Sequence, residues 1–510
     1  MPTARTRTTA DAFDQRDPRW ANTSAHITGL AVLAVGAGIL VCAGVEAAYG
    51  DPEAPAMLAS AGIVALAGLA LWRLTRVPTR VGRAQAFAAV VSVWVGVSVA
   101  GAVPYVLTGV LPNPELALFE SISGFSGTGS TVLFPIAGNG HGILLFRQLT
   151  QWAGGMGMVV LAVAVLRTLG VGGMQLISAE APGPQVDRLA PRLSETAKRL
   201  WTLYLLLTLG ATVVLLAAGM GPFDAVAHAL SGIATGGFSP HDTSIKHFDS
   251  LAVELGVMLV MLVGGANFAL MWRAGRHRSL RTLVSDSEFR VYGSVLAGAT
   301  VVVTGLLVVD DGLPLGTALR WASFNVLSMM TTTGFGTADF VQWTASAQLV
   351  LLFLMVSGGM AGSTSGAAKV FRIQVAIQHA AREIRRVHHP RGVFPVRLGE
   401  TPVPEAVVAS ILGFLMFYFV LATFGIAALA LLGSDLPTAA GSVLSAMGCV
   451  GPGLGETGPT SNFLVLGAPE RLLLNVFMLL GRLEIIPILA TIWVVGGRVG
   501  DLRLAWRRRR

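Results

Sequence analysis

An all-α membrane protein that crosses the bilayer many times is what this sequence predicts, and three observations predict it. Hydrophobic residues make up 53% of the 510, and charged residues only 13%. The apolar residues gather into blocks of roughly 20, the length that crosses a hydrocarbon core. Between several blocks stand hydroxyl- and glycine-rich stretches such as TTTGFG, Thr331 to Gly336, where lipid would demand uninterrupted helix. The formal charge of +8 does not point to nucleic acid, because Arg and Lys sit at block ends rather than in a patch interleaved with aromatics. Cys42 and Cys449 lie in apolar or glycine-rich surroundings without paired spacing, so neither a disulfide framework nor a CxxC metal site is expected.

Taken in order, residues 1–27 are polar, carry both signs of charge and lack an apolar core followed by a small-residue cleavage site, which predicts a cytosolic tail. Hydropathy then gives ten spans, at about 28–49, 54–72, 84–108, 143–167, 199–219, 250–273, 289–309, 346–371, 404–432 and 471–497. An even number puts both termini on one side. Threading the spans places Arg5, Arg7, Arg73, Arg76, Arg80, Arg83, Arg188, Arg192, Lys198, Arg273, Arg276, Arg278, Arg382, Arg385, Arg386 and Arg507 to Arg510 together. That side is expected to be cytoplasmic. The opposite connections hold Asp51, Glu53, Asp224, Asp242, Asp310, Asp311 and Asp435.

Four outer connections share one pattern, a short apolar helical stretch followed by a hydroxyl- and glycine-rich turn. They are FESISGFSGTGSTV from Phe119, FDAVAHALSGIATGGFSPHD from Phe223, WASFNVLSMMTTTGFGTADF from Trp321 and GSVLSAMGCVGPGLG from Gly441. Aligned on Gly129, Gly236, Gly334 and Gly451 they recur at intervals of 107, 98 and 117 residues, an internal repeat. The chain therefore divides into two extra N-terminal spans (28–76) and four repeats of span, half-helix, turn and span at 77–190, 191–286, 287–398 and 399–510. Non-helical backbone at membrane depth is tolerated only where protein buries it or water lines it. Four such turns around one axis would make a lined hole. Carbonyl and hydroxyl oxygens replace the hydration shell of an alkali cation, and the negative ends of four half-helices would face the same volume.

The second spans add glycine pairs, Gly154-Gly155, Gly264-Gly265 and Gly358-Gly359, with Gly481-Arg482 in the fourth. An arginine inside a span is a functional candidate by default. SGGMAGSTSGAAKVFR, Ser357 to Arg372, is a poor helix because glycine and hydroxyl residues disfavour it, and it predicts a broken span.

These repeats, together with GVGGMQLISAEAPGP, GGMAGSTSGAAKVFR, HHPRGVFPVRLGETPV and LLGRLEIIP, resemble the membrane subunit of the bacterial Trk potassium uptake system (TrkH and TrkG), within the Trk, Ktr and HKT cation transporter superfamily. The resemblance implies four pseudo-symmetric repeats around one pore. It implies a K⁺ selectivity filter whose carbonyls hold the ion, built from Ser126, Gly127, Thr128 and Gly129, from Ala234, Thr235 and Gly236, from Thr332, Thr333 and Gly334, and from Cys449, Val450 and Gly451. It implies a gating loop of Gly358, Gly359, Gly362, Ser363, Thr364 and Ser365 with Lys369 on its cytoplasmic side, and a pore arginine, Arg482. Glu120 and Asn325 are expected to support the filter. Homodimers in the bacterial plasma (inner) membrane and a TrkA-like cytosolic regulatory subunit are also implied, with ATP, ADP or NAD only on that partner. The first turn, SGTGS, departs from the family's TTTGA-like run, and Cys449 and Val450 bring no hydroxyl to the fourth.

Plainer readings stand beside these. Glycine pairs serve close helix packing, Glu120 and Asn325 satisfy buried backbone, Arg482 pairs with a carboxylate, and His228, His241, His388 and His389 are ordinary polar residues. GLGETG, from Gly453, and GSTSGAAK, from Gly362, mimic nucleotide motifs but lack the βαβ context and the GK[ST] ending. No nucleophile, base and orienter set supports an enzyme. The rivals are a Na⁺-conducting or cotransporting member of the same fold, and an alternating-access solute transporter, which would carry two inverted repeats.

Overall fold

The computed structural model describes residues 20–77, 83–169, 193–399 and 401–483. Most of the N-terminal tail, the segment carrying Arg188 and Arg192, the end of the tenth span after Leu483 and the arginine tail lie outside these. Two antiparallel helices open the chain, α1 (Thr23–Tyr49) and α2 (Ala54–Leu74). Asn22 starts α1 by accepting a hydrogen bond from the Ala25 N–H at 3.1 Å, and Gly50 ends it in the left-handed region. Glycines set how closely the two helices pack. A Cβ on Gly68 would stand 2.5 Å from the Leu33 nitrogen, and one on Gly36 2.9 Å from that of Ala65, so backbone meets backbone. Short strands tie the open ends, β1 (Trp20–Ala21) running parallel to β2 (Thr75–Arg76).

Four times thereafter a long helix, a short helix and a returning helix follow one another. The first set is α3 (Arg83–Leu107), α4 (Pro114–Ser126) and α5 (His141–Leu169). The second is α6 (Leu193–Ala217), α7 (Pro222–Ile233) and α8 (Leu251–Gly264), continued by α9 (Phe268–His277). The third is α10 (Ser287–Val309), α11 (Leu315–Met330), α12 (Ala345–Ser357) and α13 (Val370–His388). The fourth is α14 (Glu405–Leu432), α15 (Leu436–Gly448) and α16 (Ala468–Arg482). A small antiparallel hairpin, β3 (Arg397–Leu398) with β4 (Thr401–Pro402), joins α13 to α14.

By length and composition, six described helices can cross a membrane, and the bent pair α8 and α9 makes a seventh if counted as one span. The span expected at 250–273 is two helices and not one continuous helix. It turns by 102° between Gly264 and Phe268, because Gly264 and Gly265 give little helical support and the Asn267 side chain accepts from the Leu270 N–H at 3.0 Å to start a new helix. The predicted break in the third repeat lies between Ser357 and Val370, and α13 runs well beyond position 371, with Arg382 buried against Glu405 at its far end.

Three apolar cores hand over from one repeat to the next. One joins α1, α4 and α5 to the fourth repeat through Ile39, Phe119, Ile143, Val443 and Leu474. A second fills the third repeat and reaches the fourth turn at Val450, and a third fills the second repeat and reaches α11 at Phe324. The opening hairpin is fastened by charge as well. Fully buried Glu46 of α1 accepts the Gly142 and Ile143 N–H groups, the latter at 3.2 Å, so a carboxylate sits on the positive end of α5. Because Gly68 leaves no room for a side chain, Gly68→Leu is expected to lower the thermal unfolding midpoint of purified protein, an overpacking cost of about 1–3 kcal/mol; an unchanged midpoint would mean the α1–α2 contact contributes nothing.

Candidate functional site

The short helices α4, α7, α11 and α15 all end in the same way. Gly127, Thr235, Thr332 and Cys449 take positive φ of 69°, 52°, 55° and 53°. Their N–H groups return to the carbonyls three residues back, at 2.9, 3.1, 3.2 and 3.3 Å. The next residues, Thr128, Gly236, Thr333 and Val450, donate to the carbonyls of Ser123, Ser231, Ser328 and Ser445 at 2.9, 2.9, 2.9 and 3.0 Å. This double bond pattern is a Schellman cap, which satisfies carbonyls that a helix end would otherwise leave open.

A second positive φ follows at Gly129 (84°), Gly237 (81°), Gly334 (83°) and Gly451 (110°). In the second turn it falls on Gly237, not Gly236, so the register expected from sequence moves by one residue there. Gly236 occupies the place of Thr128, Thr333 and Val450. The ambiguity came from Thr235-Gly236-Gly237, where either glycine follows a plausible run. In the corrected register every turn has a serine six residues earlier, and Glu120, His228, Asn325 and Ser442 share the position nine residues earlier.

The four glycines close a ring. A Cβ on Gly129 would lie 2.1 Å from the Gly236 carbonyl oxygen, one on Gly237 1.9 Å from that of Thr333, and one on Gly334 2.0 Å from that of Val450. A Cβ on Gly451 would stand 3.0 Å from the Thr128 oxygen. Each turn thus abuts the next, and the fourth returns to the first. Positive φ and absent space together require glycine.

Side chains brace the ring from behind. Fully buried Glu120 receives hydrogen bonds from the Thr131 hydroxyl (2.9 Å), the Val132 N–H (2.9 Å) and Arg147 Nε (2.9 Å). Arg147 also donates to the Ser239 carbonyl at 3.0 Å and lies over the Phe238 ring, joining the first turn to the second. Gln151 donates to the Gly236 carbonyl at 2.6 Å and accepts from Ser231 and the Phe238 N–H. His228 is fully buried, its Nδ1 donating to the Asp224 carbonyl at 2.8 Å and its Nε2 3.0 Å from the Ser239 hydroxyl, so it is no surface residue. Asn325 Nδ2 donates to the Trp321 carbonyl at 2.9 Å and reaches Thr337 at 3.4 Å. In the fourth turn Ser445 and Ser130 both donate to the Gly451 carbonyl at 2.8 Å. Sequence reading takes His228 only as an ordinary polar residue and does not single out Arg147 or Gln151; a charge and two amides inside FRQLTQW carry the same intramembrane signal that singled out Arg482.

Beneath the ring lies the chain between α12 and α13. Thr364 Oγ1 donates to the Ile233 carbonyl at 2.9 Å and the Gly264 carbonyl at 3.1 Å, and the Gly366 N–H donates to Thr332 Oγ1 at 2.8 Å. The α8–α9 bend holds the same segment, with Met360 N–H donating to the Gly265 carbonyl at 2.9 Å and Phe268 N–H to that of Gly362 at 3.1 Å. Glu288, in the first turn of α10, accepts the Ala361 N–H at 2.6 Å. Lys369 Nζ donates to the carbonyls of Ser363 and Ser365. Gly358 and Gly359 pack on the loop's own Gly366 and Ser365. Arg482 is buried; Nη1 donates to the Thr364 carbonyl and Nη2 to that of Gly154, each at 2.9 Å. Its guanidinium carbon stands 3.9 Å from where a Gly127 Cβ would be. Among the described residues its partners are carbonyls, and Glu484 lies outside them.

Four short helices that end in turns closing a ring, among helices long and apolar enough to cross a membrane, make the class of protein a helical membrane transporter. The chain belongs to the TrkH family of cation transport proteins, whose pattern matches residues 55–495. It is 36% identical over 472 residues to the Trk system potassium uptake protein TrkH of Escherichia coli K12, covering 91% of this chain and 96% of that one. To its Salmonella typhimurium counterpart it is 38% identical over 433 residues, covering 84% and 88%. The crystal structure of the potassium transporter TrkH from Vibrio parahaemolyticus superposes with a TM-score of 0.82 at 33% identity, covering 92% of this chain and 97% of that one. This is a transport family and not one of enzymes.

The Glu120–Arg147 pair yields a test of the bracing. Arg147→Met strands a buried carboxylate and is expected to cost about 3–5 kcal/mol, whereas the Glu120→Gln, Arg147→Met double variant recovers part of that loss. Thermal unfolding of wild type, of each single variant (Arg147→Met and Glu120→Gln) and of the double variant checks it. Additive losses would mean the two groups do not act as a pair.

Proposed function

We propose that the protein carries out potassium uptake through a channel-like pore whose selectivity filter is the ring of Gly129, Gly237, Gly334 and Gly451. The closed ring itself carries this reading. Four turns that abut one another through glycine hold backbone oxygens around one axis at a spacing side chains cannot alter, and such oxygens replace the water of a dehydrated alkali cation. The relatives' names, potassium uptake proteins, support K⁺ as the ion. Four helix C-termini favour a cation there without a fixed carboxylate.

Residues 358–369 serve as the gate. They lie against Ile233, Thr332 and the α8–α9 bend, and Arg482 ties them to the first repeat through Gly154. Opening requires this strap to leave, and its hydrogen bonds break together. Arg482 adds positive charge below the ring, which slows a cation passing it while the strap is in place. Inside-negative membrane potential drives the flux, since about 2.3 kcal/mol per charge per 100 mV supports roughly fifty-fold accumulation. A TrkA-like cytosolic subunit carrying the nucleotide, ATP, ADP or NAD, moves the strap from the arginine-rich side. The protein works as a homodimer in the bacterial inner membrane with both termini cytoplasmic.

Rb⁺ uptake into proteoliposomes under an inside-negative potential, with K⁺ or Na⁺ as competitor, is the test. Wild type is expected to show competition by K⁺ and not by Na⁺. Gly129→Ser and Gly237→Ser should both erode that difference, and Arg482→Ala should raise flux severalfold. Equal competition by Na⁺ in wild type would favour the Na⁺-conducting alternative, consistent with a fourth turn lacking hydroxyls. Discrimination that survives Gly237→Ser would remove the ring from the filter.

A further inference from the structure

A cleft of about 570 Å³ opens on the arginine-rich side between α10, α13 and the β3–β4 hairpin, within the range of roughly 300–1,000 Å³ that holds small ligands. Its chemistry changes along its length. Arg290 of α10 and Arg397 of the hairpin line it, both exposed, and neither has an ion-pair partner among the described residues. Gln378 Oε1 accepts the Arg397 N–H at 3.0 Å, which fixes the hairpin to α13 beside the cleft. Gln374 also lines it, and its Oε1 is buried without a donor. Further along α10 the lining carries the apolar Val291 and Val295, with Ser294 between them; Val295 lies one turn deeper into a helix long and apolar enough to cross the bilayer and is itself exposed. From Ser287 to Val295 the helix rises about 12 Å, starting at the end of a helix long and apolar enough to cross a membrane.

We propose that this cleft binds an anionic phospholipid of the adjoining leaflet. The headgroup phosphate lies between Arg290 and Arg397 in charge-assisted hydrogen bonds, a headgroup hydroxyl donates to Gln374 Oε1, and an acyl chain follows Val291 and Val295. A soluble phosphate ester satisfies the arginines equally well, but it leaves the valine floor uncovered; an amphiphile uses the whole cleft. A glycerol headgroup supplies both the negative phosphate and the hydroxyl donor, whereas a choline headgroup supplies neither net charge nor donor. The location gives binding a consequence. Glu288, between Ser287 and Arg290, holds the Ala361 N–H of the strap, and α13 begins where the strap ends. A lipid bridging α10, α13 and the hairpin therefore braces both sides of the segment proposed as the gate.

The proposal goes beyond the transport reading and is tested without ion flux. The full chain, purified in detergent and stripped of lipid, is titrated with phosphatidylglycerol or phosphatidylcholine, and bound lipid is counted by native mass spectrometry. Wild type is expected to prefer phosphatidylglycerol by roughly tenfold, the size of one lost charge-assisted contact or more. Arg290→Gln with Arg397→Gln should abolish the preference while leaving phosphatidylcholine binding and the unfolding midpoint unchanged; Arg276→Gln with Arg278→Gln, outside the cleft, should leave the preference intact. Gln374→Leu should lower phosphatidylglycerol binding alone. Retention of the preference in the Arg290, Arg397 variant overturns the site. Displacement of the lipid by millimolar glycerol 3-phosphate overturns the lipid assignment in favour of a soluble phosphate ester.

Discussion

Each glycine that follows a short helix lets the backbone of one turn touch the carbonyl of the next, and the rest of the molecule is arranged around that contact. Inside a bilayer no water satisfies a stray N–H or C=O, so irregular backbone needs protein on every side. The Schellman caps answer this within each turn. Between turns, the approach of Gly129 to the Gly236 oxygen, Gly237 to Thr333, Gly334 to Val450 and Gly451 to Thr128 leaves no gap that lipid or a side chain enters. The ring is thus closed by geometry that only glycine permits.

A ring built from one chain need not be chemically uniform, and this one is not. The position nine residues before the ring glycine is Glu120 in the first repeat, His228 in the second, Asn325 in the third and Ser442 in the fourth. All four are buried. Each finds a different partner: Arg147 and Thr131, then Ser239, then Thr337, then Thr457. A buried carboxylate and guanidinium are costly to desolvate and gain net strength only when fully bonded. Here Arg147 reaches Glu120, Thr131 and Ser239 at once, so the charge pair fastens two turns whose caps alone do not connect them. The identical backbone pattern is kept by side chains that share a position and not a chemistry.

The all-helical membrane fold was legible because hydropathy carries it, and the break at Ser357 to Val370 was legible because glycine and hydroxyl residues disfavour helix. Less legible was the bend at Gly264, since GGAN resembles the glycine pair of an ordinary packed span until Asn267 is seen capping a new helix. The register of the second turn was missed for a related reason. With two adjacent glycines, residue identity cannot say which takes positive φ; the shared serine six residues earlier could have. His228 and Arg147 were hidden by distance, because their partners, Ser239 for the one and Glu120 for the other, are 11 and 27 residues away.

The bend and the strap belong to one mechanical unit. Gly265 and Phe268 of the bend exchange hydrogen bonds with Met360 and Gly362 of the strap, while Thr364 holds the Gly264 carbonyl. Moving the strap therefore exposes carbonyls of the bend, and moving α9 exposes carbonyl and N–H groups of the strap. At membrane depth such groups need new partners, either water entering an opened pore or each other. That couples wetting to displacement: the strap's departure is tolerable only where water follows it. Arg482, whose guanidinium holds carbonyls of both the strap and Gly154, would be freed by the same proposed movement. In the proposed gating its charge would then meet water instead of backbone, and its obstruction to a cation would weaken.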